Sequence, residues 1–287
     1  MAQRNLSLTF AGGGNRAFYQ LGLLNRWGPR LLPRTAAVAA CSAGACVVAT
    51  YLSGRAEATH AFWRERRAHV TRNLDLSKLL KGQRPAPHAE VYRDTIEFAA
   101  ADGGLERIRQ QPFPIYVLTA RLPRWLPAGP AVALGLGAYN LEKRLRPRAI
   151  HPRFGRRLGF EPQAFDAREC ETPEQLGDLL LASAATPPFT PVGEYGGRRL
   201  LDGGMVDNAP LFLVESHPDA DRHLVLLTRP YPDGVTGRAG ARLYIAPTRP
   251  TPIDRWDYTR PHLLAETIAL GETEAGYFDS ELSTLLA

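Results

Sequence analysis

The feature that most constrains the fold is a serine set between two unlike segments. Ala40-Cys41-Ser42-Ala43-Gly44 follows an apolar, strand-like run, Thr35-Ala36-Ala37-Val38-Ala39-Ala40. It precedes a helix-compatible run, Ala45-Cys46-Val47-Val48-Ala49-Thr50-Tyr51-Leu52. Such a junction asks for a tight strand-to-helix turn in which small neighbours fit. The turn lifts the serine hydroxyl off the sheet edge, and the next helix points its positive end at it. An isolated A-x-S-x-G is only a turn; its place after a second strand makes Ser42 a candidate nucleophile.

The first strand is Leu6-Ser7-Leu8-Thr9-Phe10, which alternates with a period of two. Gly12-Gly13-Gly14 then makes a loop before a helix over 15–27, with Gly28-Pro29 expected to stop it. Bare N–H groups in such a loop hold a negative oxygen. A nucleoside triphosphate loop is excluded because no Gly-Lys-Ser/Thr follows. Gly12, Gly14 and Ala17 fit the looser dinucleotide fingerprint, but the second strand ends in Ala39-Ala40-Cys41, with no acid to hold a ribose. What remains is an anion-binding turn of Gly12, Gly13, Gly14 and Asn15. Arg16 either adds to its field or orients the loop.

Asp202-Gly203-Gly204 ends a predicted hairpin, Val192 to Asp202, whose turn is Gly196-Gly197. The turn is thus already supplied, and Asp202 has another purpose. Asp207 and Asn208 are read as loop-holding hydrogen bonders. A serine nucleophile needs a base. Its source is either a histidine (His217, His223 or His262) or Asp202 itself, whose carboxylate becomes more basic when shielded from water.

Elsewhere, helices are predicted near 43–53, 57–73 and 89–110, with the Pro-containing segment 82–87 between the last two. Ile115 to Thr119 is a buried strand. Thr172-Pro173-Glu174-Gln175 opens a helix that stops before Pro187-Pro188. His223–Thr228 and Leu243–Ala246 are further strands, and the chain from Arg260 is helical. Between about 121 and 159, prolines, glycines, Trp125 and arginines replace clear periodicity, so this stretch is read as an insertion or cap. The alternation of strands and helices predicts an α/β fold, and residues 1–287 are read as a single domain with a C-terminal helical segment at about 260–287.

The chain has 287 residues, 44% hydrophobic and 22% charged, which excludes disorder as the main state. Its net charge of +6 is local. Lys143, Arg144, Arg146, Arg148, Arg153, Arg156 and Arg157 cluster without an acid, and the remainder is close to neutral. With Trp125 nearby, this stretch is expected to make peripheral contact with an anionic membrane surface. It lacks interleaved aromatics apart from Phe154, and no recognition motif accompanies it, which argues against nucleic acid. Three cysteines, Cys41, Cys46 and Cys170, suggest a reducing compartment without a disulfide framework. No apolar leader and no run approaching the ~20 residues of a membrane span are seen, so a cytoplasmic location is expected.

Three motifs together resemble the patatin-like phospholipase family. They are Ala11-Gly12-Gly13-Gly14-Asn15-Arg16-Ala17, Ala40-Cys41-Ser42-Ala43-Gly44 and Asp202-Gly203-Gly204. The segments 181–189 and 205–210 are similar to the family as well, so the resemblance covers roughly 6 to 212. Ala11, Ala17 and Ala40 depart from the family pattern, which has an acid at the first position and glycines at the other two. The resemblance implies a three-layer α/β sandwich, with a central, mostly parallel sheet and helices on both faces. It implies hydrolysis of fatty-acyl esters of phospholipids or lysophospholipids by a Ser42–Asp202 dyad, without histidine, metal or cofactor, and with oxyanion donors at Gly13 and Gly14. Esters or thioesters outside the bilayer, or lipid binding without turnover on the same fold, are the alternatives. Headgroup, chain length and oligomeric state are not legible.

Overall fold

The computed structural model describes residues 3–75, 77–78, 85–123, 125–187 and 189–287. Part of the predicted 82–87 breaker and Pro188 lie outside the described residues. The strands are β1 (Leu6–Phe10), β2 (Thr35–Cys41), β3 (Ile115–Arg121), β4 (Glu161–Asp166), β5 (Gly193–Tyr195), β6 (Arg198–Asp202), β7 (Arg222–Leu226), β8 (Gly237–Ala239) and β9 (Arg242–Ile245). The helices are α1 (Phe18–Leu31), α2 (Ala43–Leu52), α3 (Ala56–Arg67), α4 (His88–Ala100), α5 (Gly104–Arg109), α6 (Ala128–Leu145), α7 (Phe154–Arg157), α8 (Pro173–Ser183), α9 (His262–Tyr277) and α10 (Asp279–Leu286).

The central strands are parallel. β1 pairs β2 on one side and β7 on the other, β2 pairs β3, and β7 pairs β9. These strands are buried on both faces and therefore read as near-continuous apolar runs. Antiparallel strands finish both ends: β4, β6 and β5 beyond β3, and β8 beyond β9. β4 takes one edge of β3. Along the other edge, β2 pairs as far as Cys41↔Leu118, and β6 takes over at Asp202↔Thr119. Two chain segments thus meet end to end against one strand.

Alternate residues face opposite layers. Leu6, Leu8, Phe10, Val38, Ala40, Ile115, Val117, Leu224 and Leu226 pack with α1, α2, α4, α8, α9 and α10 in the main core. Ala37, Ala39, Val225 and Tyr244 face the other way, under Leu211, Val214 and Ile150. On that same side Ala120 and Leu201 pack with Phe160, Met205 and Val132 of α6. The sheet is mixed, mostly parallel and flanked by helices.

Three expectations are corrected. First, α1 runs through Gly28-Pro29 to Leu31. Gly28 is no stop there: a Cβ on it would lie 1.9 Å from the Tyr51 hydroxyl, so the position demands close approach. Second, the helix predicted over 89–110 is broken into α4 and α5 at Asp102 and Gly103, with φ of 49° and 79°. Third, the stretch read as aperiodic holds the 18-residue helix α6. Its Pro130 sits in the first turn, where no intrahelical N–H is needed, so proline does not exclude a helix. β4 and β8 were not anticipated.

Candidate active site

Ser42 caps α2 with φ 54° and ψ −130°. A non-glycine residue held there costs about 1–3 kcal/mol, which the surroundings must offset. They do so through a short relay. The Ser42 amide donates to Ser183 Oγ at 2.8 Å, and the Ser183 hydroxyl donates to Leu118 O at 2.7 Å. The Ser42 carbonyl accepts from Ala45 N at 3.0 Å and from the Tyr92 hydroxyl at 3.2 Å. Gly44 lets the helix start close to β1, since a Cβ there would lie 2.7 Å from Phe10 O and Ala11 O.

Asp202 arrives from β6 beside the end of β2. Its amide donates to Ala185 O at 2.8 Å, and its Oδ1 accepts from Gly204 N at 2.7 Å. The Ser42 side chain lies beside its carboxyl, Thr186 Oγ1 donates to Oδ2 at 3.5 Å, and Cys41 Sγ lies 3.7 Å from Oδ1. Burial raises the Asp202 pKa above the ordinary carboxylate value. Arg255, the Gly204 N–H and the Ser42 and Cys41 side chains oppose that rise. Burial also pushes the Cys41 thiol well up, as does Asp202, so Cys41 stays protonated.

The glycine loop stands directly beside the serine. A Cβ on Gly12 would lie 3.0 Å from Ser42 Cβ and 2.9 Å from Asn208 Oδ1. The Gly12 N–H is taken by Asn208 O at 3.0 Å, and the Asn15 N–H by Arg255 O at 3.1 Å. Asn208 Nδ2 and the Thr228 hydroxyl both donate to Gly12 O, at 3.0 and 2.9 Å. Gly12 and Asn15 therefore shape the loop. The Gly13 and Gly14 N–H groups have no protein partner among the described residues. Gly14, at φ 58°, adopts a conformation that favours glycine. Arg16 reaches back to Gly13 O at 3.4 Å.

None of the three weighed histidines hydrogen-bonds to Ser42 or Asp202 among the described residues. His223 bonds Ser7 at 2.8 Å, His217 is half-buried and His262 is exposed. Asp207 holds Ala209 N at 3.0 Å and the His151 ring at 3.0 Å.

The six arginines of the basic stretch, Arg144, Arg153 and Arg157 among them, are all exposed, as is Trp125 at 66%. Arg148 donates to Asp233 O at 2.9 Å, and Arg156 lies over the Phe212 ring at 4.3 Å. Arg146 pairs Glu142 at 3.0 Å and lines a cavity beside the glycine loop. The Lys143 side chain lies outside the described residues.

Arg255 and Ser183 are the site residues that sequence reasoning missed. Arg255 lies between a Pro-rich turn and α9, and its only local signal is the aromatic-rich run Arg255-Trp256-Asp257-Tyr258. Ser183 lies inside the 181–189 segment, at the last residue of a well-capped helix.

Among known proteins, the family model for patatin-like phospholipases matches residues 8–214. A search of curated proteins finds no match. Among solved structures, VipD from Legionella pneumophila is similar at 13% identity and a TM-score of 0.44, covering 97% of this chain and 67% of that one. That likeness is too loose to carry an argument. The family match encloses the glycine loop, the serine turn and Asp202, and no helix among the described residues is long and apolar enough to cross a membrane. Over that span the chain belongs to the patatin-like phospholipase family, and so to the lipid acyl hydrolases.

Proposed function

We propose that the protein hydrolyses fatty-acyl ester bonds of phospholipids or lysophospholipids through a Ser42–Asp202 dyad. The observation that carries this is the placing of the Ser42 turn beside a buried carboxyl whose pKa is raised, next to a glycine loop whose Gly13 and Gly14 N–H groups have no partner among the described residues. Ser42 Oγ attacks the ester carbonyl as its proton passes to Asp202. The tetrahedral oxyanion takes the Gly13 and Gly14 N–H groups, each such donor being worth ~10²–10³ in rate. Asp202 returns the proton to the leaving alcohol. A water, deprotonated by Asp202, then releases the fatty acid from the acyl-enzyme.

The acyl chain is assigned to a cavity of about 210 Å³ lined by Asp202, Thr186, Phe189, Met205, Trp256 and Tyr139. Apolar walls with an acid at one end suit a chain that ends in an ester. Purified protein and its Ser42→Ala variant, incubated side by side with a panel of lipids, test the reading by fatty-acid release. Release by wild type alone is expected. Equal release by both, or failure of a fluorophosphonate probe to label Ser42, would overturn it.

The 121–159 stretch is proposed as the membrane-facing side. Trp125, Leu141 and Leu145 are 66%, 51% and 64% exposed, next to exposed arginines. Large apolar side chains beside cations suit shallow insertion into an anionic interface. The protein then works at that surface from the aqueous side.

A further inference from the structure

Beside the glycine loop lies a second, narrow cavity, of about 40 Å³, with an excess of positive charge. Arg16, Arg146, Arg229 and Arg255 line it, against one carboxylate, Glu142. Glu142 is already committed: it accepts from Arg146 at 3.0 Å, from Arg153 N at 2.8 and 2.9 Å, and from Phe154 N at 2.8 Å. The other three guanidiniums have no acidic partner among the described residues.

Arg16 donates to Gly13 O of its own loop at 3.4 Å. Arg229 makes two weak contacts, at 3.3 Å to Pro230 O and Pro147 O, and lies over the Tyr231 ring at 3.8 Å. Arg255 sits 5.0 Å from the Trp256 ring centre, and its Nε is buried with no hydrogen-bond partner among the described residues. Burial, then Arg255 and Arg229, weaken the hold of Arg16 on its proton. Gathering like charges in a partly dry cavity is costly unless an anion joins them. Forked guanidiniums match phosphate oxygens in particular.

The cavity is also well placed. Gly12 and Gly13 line it, and Gly12 touches the space beside Ser42. Tyr139 and Arg255 line both this cavity and the one assigned to the acyl chain. An ester at the junction has its chain on one side and its alcohol portion on the other.

We infer that this cavity is a phosphate-binding subsite, which makes acyl glycerophosphates the preferred substrates, with the phosphate held by Arg16, Arg229 and Arg255. The substrate preference rests on the ester-hydrolase reading above; the anion site itself does not. Arg255 would then serve both ends of the substrate, since it also bears on Asp202. Arg229 and Arg255 lie beyond residue 214, where the family match ends, and Arg16 lies within it.

The test has two arms, both on the full chain. In the first, Ser42→Ala protein is titrated calorimetrically with glycerol 3-phosphate and with inorganic phosphate. Saturable binding that weakens with added salt is expected, tighter for glycerol 3-phosphate; no binding of either overturns the subsite. Equal binding of both, without substrate preference in the second arm, assigns the cavity to free phosphate and overturns the lipid headgroup. In the second arm, kcat/KM is compared for a lysophosphatidic acid and the monoacylglycerol with the same chain. The wild-type ratio is expected to favour the phosphate by about 10–100-fold, the value of one or two charge-assisted hydrogen bonds. Arg229→Gln should pull the ratio towards one, a readout in which any general loss of activity cancels. A wild-type ratio near one, or a ratio unmoved by Arg229→Gln in folded protein, overturns the inference. The wild-type ratio and the titration stand even if that variant fails to fold. If no ester is cleaved at all, the hydrolase reading fails, and the titration alone still decides the anion site.

Discussion

The Ser183 hydroxyl accepts a hydrogen bond from the Ser42 amide at 2.8 Å and donates one to Leu118 O at 2.7 Å. One side chain thus fastens the strained turn to the strand that also holds Asp202. Ser183→Ala would leave a buried N–H and a buried carbonyl without a partner. A loss of about 1–3 kcal/mol in urea unfolding is expected. Loosened placement of Ser42 should also lower kcat by about 10–100-fold. Unchanged kcat in the folded variant would show that Ser183 only supports the fold.

Asp202 must be ionised to take a proton, and burial raises its pKa. The acid limb of kcat/KM is therefore expected above the ordinary carboxylate range. Arg255 opposes the rise, so Arg255→Gln should move that limb to higher pH. Stability runs the other way. A group whose folded pKa is raised contributes fully below its unfolded pKa and loses that contribution as pH climbs through the folded one. At pH 7, Asp202→Asn should therefore melt at a higher temperature than wild type while losing about 10²–10⁴ in rate. A lower melting temperature for that variant would show that the ionised carboxylate is not strained.

Glycines in the helices differ in what surrounds them. A Cβ on Gly271 of α9 would lie 2.1 Å from Tyr19 O of α1, and one on Gly22 2.0 Å from Ile268 O. Gly271→Ala forces the two helices apart, with an expected loss of at least about 1–3 kcal/mol. Gly137 of α6 has nothing within 4 Å. Gly137→Ala should gain about 0.5–1 kcal/mol from helix propensity alone. Opposite signs for the two changes in thermal unfolding are the result to look for.

Trp125→Ala together with Arg153→Glu and Arg157→Glu should reduce co-flotation with anionic vesicles by about tenfold or more, each cation near such a surface being worth ~1 kcal/mol. Binding should weaken with salt. Hydrolysis of a soluble short-chain ester should persist. Undiminished flotation would place the membrane-facing side elsewhere.

The site was legible in the sequence where local backbone chemistry writes it. Ser42 needs small neighbours, Gly14 needs a left-handed conformation, and Gly196-Gly197, at φ 57° and 70°, mark the hairpin that ends at Asp202. Thr172 does cap α8, accepting Gln175 N at 3.2 Å. Residues that act through tertiary approach left no such trace. Arg255, Asn208 and Thr228 converge on the glycine loop from segments some 200 positions away. The helix α6 was hidden for a different reason: its proline and glycines mimic a loop, although Gly135 is small to admit Phe160, whose Cζ would lie 2.7 Å from a Cβ there.

Cys41 and Asp202 oppose consecutive residues on a single edge of β3, one strand running with it and one against. The Ser42 turn and Asp202 are thereby tied to the same rail. When the sheet flexes, both ride on it together, so thermal bending of the molecule changes their surroundings before it changes their separation.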